Sequence, residues 1–441
     1  MAEQRWRFWA LAVVTVVGSA SGAALAQGVT RLEHSFSNPG ARSMGFAGAF
    51  IGLADDATAA YANPAGLVQL AAPEVSVETR SWSYDTPYTV GGRASGEPTG
   101  LGIDTTAGLR RAVSSDDTSH LSFLSLVYPI RRWSLAVYRH QLASFESSAV
   151  INGLFAGPSA DSTVRLDDLI GSSRLDLVSH GLAAAFRVSE TVGVGLGLAR
   201  VEADVRIQEE TFLPDDDTRE AFFGSSSFLP ARSIGSTALA SSDTDWTVLV
   251  GFLWRVSPTV SLGGVYRQGP RFATSAIARA GPAFDPNVPP GSELRLETGL
   301  QTPDVFGLGL AARLRGDTLT FSFDWVRVEY SDLLEGLDPE VFEDLPLVDD
   351  GDELHAGAEY VFLRTTPMVA LRVGAWLDPD HRFRADIARD DSFERALFRG
   401  GGDEMHFAAG LGLAFWDFQL DLAVDFSELV DTASLSAIYR F

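Results

Sequence analysis

The sequence predicts an all-β protein: a 14-stranded antiparallel transmembrane β-barrel with a small N-terminal plug, or hatch, inside its lumen. Three features of the 441-residue chain indicate this fold. A two-residue alternation continues to the terminal Phe441, short and long connections alternate between the predicted strands, and the chain begins with a leader typical of exported proteins. Together they predict a protein of the bacterial outer membrane.

The C-terminal residues alternate between apolar and polar side chains. The apolar positions are Ala433, Leu435, Ala437, Tyr439 and Phe441. A period of two predicts a strand with two different faces. Because an unpaired edge strand promotes aggregation, we expect the last strand to pair with the first and close a barrel. An apolar outer face and a polar lumen are typical of a barrel in lipid.

The N-terminus has the order of a secretory signal peptide, predicted over residues 1–26. Arg5 and Arg7 precede the apolar run 8–17, and the small-residue segment ends at Ala26. The alternative is a transmembrane anchor, but the run is shorter than the ~20 residues that a helical span needs. No later stretch reaches that length without charges or glycines.

Composition excludes several classes of function. The chain has no cysteine, so disulfides and thiolate sites are excluded. Its 58 acidic and 34 basic residues give a net charge of −24, which argues against nucleic-acid binding. The histidines lack zinc-ligand spacing, and no Ser/His/acid set lies at a predicted barrel rim. We therefore predict no catalytic residues, no metal, no cofactor and no enzymatic activity.

Fourteen segments have strand-like alternation and turn boundaries. They lie near 73–84, 119–129, 133–145, 174–188, 191–207, 243–256, 258–270, 303–315, 317–330, 352–364, 367–378, 404–416, 417–427 and 431–441. Every second connection is short, and the others are long, polar segments: 85–118, 146–173, 208–242, 271–302, 331–351 and 379–403. This sorting is typical of short periplasmic turns and long extracellular loops. A soluble β-sandwich, the alternative, gives no reason for it.

The predicted strands assign side chains to the lipid or to the lumen. In the sixth strand Trp246, Val250 and Trp254 share the outer face, with a tryptophan near each membrane interface. The predicted polar lumen residues are Asp324, Glu359, Arg372, Asp421 and Asp425. Glu359 and Arg372 lie on neighbouring strands, which predicts an ion pair. Inward glycines at Gly193, Gly195, Gly197, Gly307 and Gly309 predict close approach of another backbone, for which the hatch is the candidate.

Residues 27–72 differ from the barrel and are predicted to form the hatch, before a barrel over 73–441. The run Gly40–Leu67, with turns at Gly45 and Gly48 and the sequence Asn63-Pro64-Ala65, resembles the hatch of the FadL/TodX family of outer-membrane transporters. The resemblance covers the mature chain and implies fourteen strands, a terminal Phe, and passage of long-chain fatty acids or other hydrophobic compounds. We hypothesise that Arg42 in the hatch is the counter-charge for Asp324, Asp421 or Asp425 on the lumen face.

The resemblance also implies a ligand groove between loops 208–242 and 271–302. Its candidate residues are Phe212, Leu213, Phe222, Phe223, Phe228, Leu229, Phe272 and Phe284. Packing of each loop against itself is an equal alternative. The resemblance also implies an inward kink in the third strand, which is associated with lateral exit into the membrane. Residues 133–145 contain no Gly or Pro to mark such a kink. A carboxylate ligand requires arginines such as Arg232 or Arg271 to converge.

The predicted function is passive outer-membrane transport of long-chain fatty acids or other hydrophobic molecules through a barrel that the hatch gates. The alternative is a plugged barrel that acts as a structural or secretion-associated scaffold. Expected partners are hydrophobic small molecules, outer-membrane lipid and the barrel assembly machinery, with no nucleic acid and a monomeric state. Carboxylate runs at 215–217 and 349–353 are interpreted as solvated rather than metal-binding.

Overall fold

The computed structural model describes residues 38–157, 163–214, 228–335, 347–384 and 401–441. The predicted signal peptide, the first eleven residues of the predicted hatch, Phe222, Phe223 and the acidic run 215–217 lie outside the described residues. The boundaries predicted at residues 26 and 72 therefore stay predictions.

Eighteen strands form one sheet within this part of the chain. They are β1 (Glu74–Arg93), β2 (Leu109–Ile130), β3 (Trp133–Ile151), β4 (Leu154–Ala156), β5 (Val164–Arg165), β6 (Asp168–Arg187), β7 (Val192–Phe212), β8 (Ser233–Arg255), β9 (Val260–Arg267), β10 (Arg271–Ala280), β11 (Glu293–Gln301), β12 (Val305–Leu314), β13 (Leu319–Val328), β14 (Gly351–Phe362), β15 (Met368–Asp378), β16 (Glu404–Phe415), β17 (Phe418–Phe426) and β18 (Val430–Arg440).

These strands make a closed 14-stranded antiparallel barrel, as predicted. β4 and β5 are short extracellular additions, while β9 with β10, and β11 with β12, each form one barrel strand that is interrupted once. The last strand pairs with the first, from Glu74 opposite Arg440 to Tyr84 opposite Val430. Closure leaves the terminal strand no free edge.

The outer face carries an apolar band that ends at charged residues. On β7, Val194, Leu196 and Leu198 are exposed and are followed on the same face by Arg200 and Glu202. On β8 the band runs from Trp246 to Trp254, as predicted; these two side chains are 59% and 41% exposed. Apolar exposure bounded by tryptophans is the signature of a lipid-facing wall.

Several barrel strands are longer than predicted at the extracellular end. β1 continues to Arg93 and β2 begins at Leu109, so most of the predicted loop 85–118 is strand. The prediction of a loop over residues 271–302 is also wrong, because β10 and β11 form a hairpin there. Above the membrane the outer face no longer needs apolar side chains, so the apolar-out, polar-in alternation that marks a transmembrane strand disappears. Ser83 of β1, for example, donates a hydrogen bond to Asp117 of β2 on the outer face at 2.6 Å.

The described part of the hatch lies inside the barrel. It contains two short α-helices, Ala41–Gly45 and Ala59–Ala62, and a 3-10 helix, Pro64–Gln69. Phe46, Phe50 and Leu67 are fully buried and belong to a cluster with lumen-facing residues of the wall, including Phe123 and Ala311. Within the described residues, no helix has the length and apolarity needed to cross a membrane.

Candidate functional site

The Asn-Pro-Ala segment fixes the hatch against β7 and β8. The Asn63 side chain donates to the Ile51 carbonyl at 2.9 Å and to the Phe252 carbonyl at 3.0 Å, and its Oδ1 accepts from the Ala65 amide at 3.2 Å. Asn63 thus caps the 3-10 helix, and Pro64 begins it where no amide donor is needed. One side chain therefore joins two parts of the hatch to the wall.

Glycines on the wall make room for this segment. A side chain at Gly195 would overlap the backbone of Pro64 and Ala65, and one at Gly193 would contact Val68. Gly309 meets Gly52 of the hatch in the same way. The structure thus places the hatch against the predicted stripes, except at Gly197, where the nearest atoms belong to the wall residue Leu249.

The turn glycines of the hatch also contact the lumen wall. Gly48 adopts φ +80°, a conformation that favours glycine, and a Cβ there would lie 3.1 Å from His355 Nδ1. A Cβ on Gly45 would lie 3.1 Å from Arg372 and 3.3 Å from Gly410. The hatch therefore touches the β14–β16 side of the wall as closely as the β7–β8 side.

Asp324 on β13 is the wall carboxylate that holds the hatch backbone. It is fully buried, and its Oδ2 accepts hydrogen bonds from the amides of Phe50 and Ile51, each at 2.7 Å. These amides belong to a turn, so they have no helical partners. A carboxylate that accepts two backbone amides makes strong, charge-assisted contacts.

An ionic network continues from the hatch into the wall. Arg42 pairs with Asp55, with Asp56 at 3.2 Å, and with Glu359 at 3.6 Å. Arg313 of β12 reaches Asp55 at 3.0 Å. Burial alone would raise the pKa of Asp55, but the guanidinium groups of Arg42 and Arg313 lower this pKa to about 2. The network keeps the hatch carboxylate ionised.

The remaining polar lumen residues pair with one another. Arg372 contacts Glu359 at 2.7 Å, the ion pair expected from the sequence, and Asp421 at 2.6 Å. Asp425 accepts from Trp376 Nε1 at 2.9 Å and lies 3.1 Å from His406 Nδ1. The hypothesis that Arg42 balances Asp324, Asp421 or Asp425 is wrong, because Arg42 pairs with Asp55, Asp56 and Glu359 instead.

The predicted groove residues separate into three places. Phe212 is buried and makes an edge contact with Phe228, with ring centroids 5.3 Å apart, while Leu213 is half-buried beside them. Leu229 is exposed at the extracellular surface, and Phe284 is half-buried in the β10–β11 connection. Phe272 instead faces the lumen, because it lies on a strand rather than in a loop.

An apolar cluster, here named the upper lumen cluster, lines the extracellular half of the lumen. Its buried members are Trp82, Tyr84, Leu142, Ala143, Phe145, Leu175, Leu177, Val201, Ala203, Val205, Ile207, Leu239, Phe272 and Ala276. Tyr61 of the hatch packs against it from below. Sequence reasoning missed this cluster, because it assigned polar side chains to the lumen. The available signal was the inward run of apolar residues along β7.

Two cavities lie beside the hatch. The hatch–wall cavity is lined by Tyr61, Tyr138, Leu142, Leu249, Arg267, Pro303 and neighbouring residues. The lining of the acidic cavity includes Glu353, Asp378, Asp425, Trp376 and again Arg267. The first cavity has no carboxylate in its lining; the second has three.

The barrel wall has a gap, here named the wall gap, between the upper parts of β2 and β3. Their pairing ends at Phe123 opposite His140, and a register shift on β3 follows between Gln141 and Ala143. Side chains replace the ladder above: His120 Nε2 lies 2.8 Å from Ser144 Oγ. This register shift forms without Gly or Pro, so a search of residues 133–145 for those two residue types could not reveal it. Leu142 at the shift lines the hatch–wall cavity.

The carboxylates of the described residues give little support to a metal site. Asp304, Glu329 and Asp332 form the one group of three with ligand atoms close enough to share an ion within this part of the chain. Both Asp304 oxygens already accept hydrogen bonds, from Tyr266 at 2.6 Å and the Gly269 amide at 2.7 Å. In the predicted acidic run 349–353, Asp350 pairs with Arg327 at 3.0 Å.

Comparison with known proteins identifies the family. Residues 17–428 match the model of the outer membrane protein transport protein family (OMPP1/FadL/TodX). The chain belongs to this family. The FadL/TodX resemblance of the sequence and the outer-membrane localisation are thereby confirmed. A search of curated protein sequences found no match.

Solved structures share the fold of this FadL/TodX-family protein at low sequence identity. The CymD monoaromatic hydrocarbon channel is 18% identical with a TM-score of 0.56, over 93% of this chain and 99% of CymD. A Pseudomonas aeruginosa FadL homologue is 14% identical with a TM-score of 0.62, over 93% and 99%. The P. putida toluene transporter TodX is 14% identical with a TM-score of 0.58, over 92% and 99%.

Proposed function

We propose that this protein carries small hydrophobic molecules passively across the outer membrane, from the extracellular loops through the upper lumen cluster to the hatch–wall cavity. The continuity of these two features carries the proposal. Leu142 belongs to both, and Tyr61 of the hatch contacts both. Transfer of an apolar molecule from water to such a surface lowers its free energy, so passive entry needs no energy source.

The wall gap supports sideways exit into the membrane. The hatch closes the lumen beneath the cavity, where Pro64 and Ala65 contact the wall glycines. The gap lies beside the cavity at Leu142, and side-chain hydrogen bonds rather than a full ladder span it. Side-chain contacts part at lower free-energy cost than a continuous ladder of backbone hydrogen bonds. An apolar molecule therefore has a shorter route to lipid than to the periplasm. Tyr61 of the hatch contacts both the upper lumen cluster and the cavity, so the hatch must shift before a molecule enters this route.

Structures of the family named as hydrocarbon channels and as a toluene transporter support this class of ligand. A scaffold without transport is less favoured, because a scaffold requires neither the cavity nor the gap. The lumen polar residues are explained by hatch and wall contacts, and none of the described ones forms a catalytic arrangement. We infer a transport protein rather than an enzyme.

Deletion of Leu142 tests the proposal. Removing one residue restores continuous register between β3 and β6, and we expect it to let β2 and β3 pair above Phe123 and close the wall gap. Leu142→Ala keeps the register shift and serves as the control. Each variant is expressed in a Gram-negative host that lacks such a channel, and entry of radiolabelled toluene and of a labelled long-chain fatty acid is measured. We expect the deletion to abolish entry of whichever ligand the intact protein admits. Entry at the intact rate would refute the proposed route, and no entry through the intact protein would favour the scaffold.

A further inference from the structure

Glu209, near the extracellular end of β7, differs from the other buried acids of the described chain. It is 7% exposed, and among the described residues no basic group or hydrogen-bond donor contacts its carboxyl group. Every other buried acid in these ranges has an arginine, indole or backbone-amide partner. These partnered acids are Asp56, Glu74, Glu78, Asp104, Asp168, Asp324, Glu359, Asp421 and Asp425. A buried acid without a partner destabilises a fold, so a ligand explains Glu209 better than the wall does.

The Glu209 side chain lies at the top of the upper lumen cluster. Along the inward face of β7, Val205 and Ile207 belong to the cluster, and Glu209 takes the next inward position. Three residues of a strand rise about 10 Å, so a short alkyl chain held at Glu209 can lie along both of these apolar neighbours. A carboxyl group above an apolar wall matches a ligand with a polar head and an apolar tail.

The neighbouring strands add a second polar group and no charge. Glu209 lies opposite Gly171 of β6 and opposite Thr237 of β8. Ser173 of β6 is the diagonal neighbour of Glu209, because it lies opposite Ile207. Its Oγ is buried and makes no hydrogen bond with any described residue. Diagonal neighbours on one face lie about 7–8 Å apart, so a single head group can contact both side chains.

The arginines that a carboxylate ligand would require do not converge here. Arg271 pairs with Glu335 at the surface at 2.8 Å, and Arg232 donates to the Leu213 carbonyl at 3.3 Å. The net charge of −24 attracts cations rather than anions to the protein. Both observations favour a cationic head group over an anionic one at the extracellular end of the lumen.

Burial also fixes the protonation state of Glu209. The residue lies above the membrane, beyond Arg200 and Glu202, which end the apolar band on the outer face of β7. Removal from water raises the pKa of its carboxyl group to about 8. Without a cation beside it, the carboxyl group is therefore protonated at neutral pH. A cation in contact stabilises the ionised form, and the proton passes to water.

We propose that Glu209 binds the ammonium group of hydrophobic amines that enter the lumen, with Ser173 Oγ as a second acceptor and the tail along the upper lumen cluster. This inference rests on the proposed transport function and names a substrate class for it: amines in preference to neutral alcohols or hydrocarbons of equal length. The ammonium group supplies the counter-charge that Glu209 lacks, and its three donors suit two acceptors. An alcohol fits the same apolar surface but supplies no counter-charge.

Equilibrium binding to the full-length protein in nanodiscs of zwitterionic lipid tests the preference. Radiolabelled octylamine and octanol, both corrected for partition into empty nanodiscs, are compared at neutral pH, where octylamine is cationic. We expect the wild-type protein to bind octylamine at least about tenfold more tightly than octanol, since a hydrogen bond to a charged group is worth that much. Glu209→Gln should lower this ratio to within about twofold, and Glu209→Asp should retain a preference. Glu210→Gln makes the same charge change on the outer face and should match the wild type.

Coupling with a hydrophobic carbodiimide locates the bound amine. The carbodiimide activates a protonated carboxyl group, the amine nitrogen attacks the activated carbon to form an amide, and the carbodiimide leaves as a urea. Fragment mass spectra should place the octylamide at Glu209 rather than at Glu210. Equal binding of amine and alcohol by the wild type, an undiminished amine preference in Glu209→Gln, or coupling that omits Glu209 would overturn the inference and leave transport standing. Binding of neither compound would count against both the inference and the transport function.

Discussion

Replacement of Asp324 by alanine should loosen the hatch without opening the barrel. The carboxylate accepts the Phe50 and Ile51 amides at 2.7 Å, and these two contacts connect the middle of the hatch to β13. Alanine leaves both amides without this acceptor at a site that is closed to water. The asparagine variant keeps one acceptor oxygen and should have an intermediate effect.

The size of the effect follows from the two hydrogen bonds. Each bond to a charged acceptor contributes about 1.5–3 kcal/mol, and loss of the buried charge offsets part of the total. A net change of about 2 kcal/mol raises the population of the released hatch about 30-fold, since every 1.4 kcal/mol corresponds to a factor of ten.

The rate of maleimide labelling at Ser43→Cys reports that population, because Ser43 is buried in the seated hatch. The matched control is Asp425→Ala, which removes a lumen carboxylate whose partners, Trp376 and His406, belong to the wall. We expect about 30-fold faster labelling for Asp324→Ala and less than about twofold for the control. Equal labelling of the two variants would refute the assignment of Asp324 as the residue that holds the hatch.

Three further predictions concern the hatch and the wall. Gly195→Val should displace the Pro64–Ala65 segment and increase labelling at Ser43→Cys, whereas Gly197→Ala, whose nearest neighbour is Leu249 of the wall and not the hatch, should not. Because the pKa of Asp55 is lowered from 3.8 to about 2, its contribution of about 2 kcal/mol to hatch seating should be complete above pH ~4 and lost as pH falls towards ~2. The rate at which 2,2′-dithiodipyridine, which reacts with thiols in acid, labels Ser43→Cys should rise in that window relative to an exposed cysteine. Asp55→Asn should remove this step. Leu196→Arg places a charge on the lipid face and should lower the free energy of unfolding by about 2–4 kcal/mol, measured by urea unfolding from vesicles. Gln208→Arg lies beyond the apolar band on the same face and should change that free energy by less than about 0.5 kcal/mol. Equal effects of the two variants would contradict the assigned membrane boundary.

The membrane-spanning part of the fold was predictable because lipid imposes a pattern. The outer face of β8 between Trp246 and Trp254 must be apolar, and the lumen face need not be, so the period of two is visible. Above the membrane that constraint ends. Ser81 of β1 and Ser119 of β2 share a hydrogen bond at 2.6 Å on the outer face, and a strand of this kind has the composition of a loop.

The site was predictable in part. Asn63 and the inward Gly195 were visible from the sequence, because a close backbone contact requires a particular residue on each side. The upper lumen cluster was not, since Val201 and Val205 break the expected polar lining. Nor was Arg267, whose partner Asn38 lies 229 residues away in the chain. A register shift at Leu142 depends on pairing with β6 and leaves no composition signal of its own.

A reversible disulfide between the hatch and the wall tests the central claim most directly. A Cβ on Gly193 would lie 2.8 Å and 3.5 Å from the two γ-carbons of Val68, which is close to the separation that a disulfide requires. The pair Val68→Cys and Gly193→Cys, in a chain without native cysteines, should block entry of the labelled hydrophobic ligand when oxidised and restore entry when reduced. Each single cysteine variant is the control. Full entry through the oxidised protein would contradict the claim that the hatch must move for a molecule to pass.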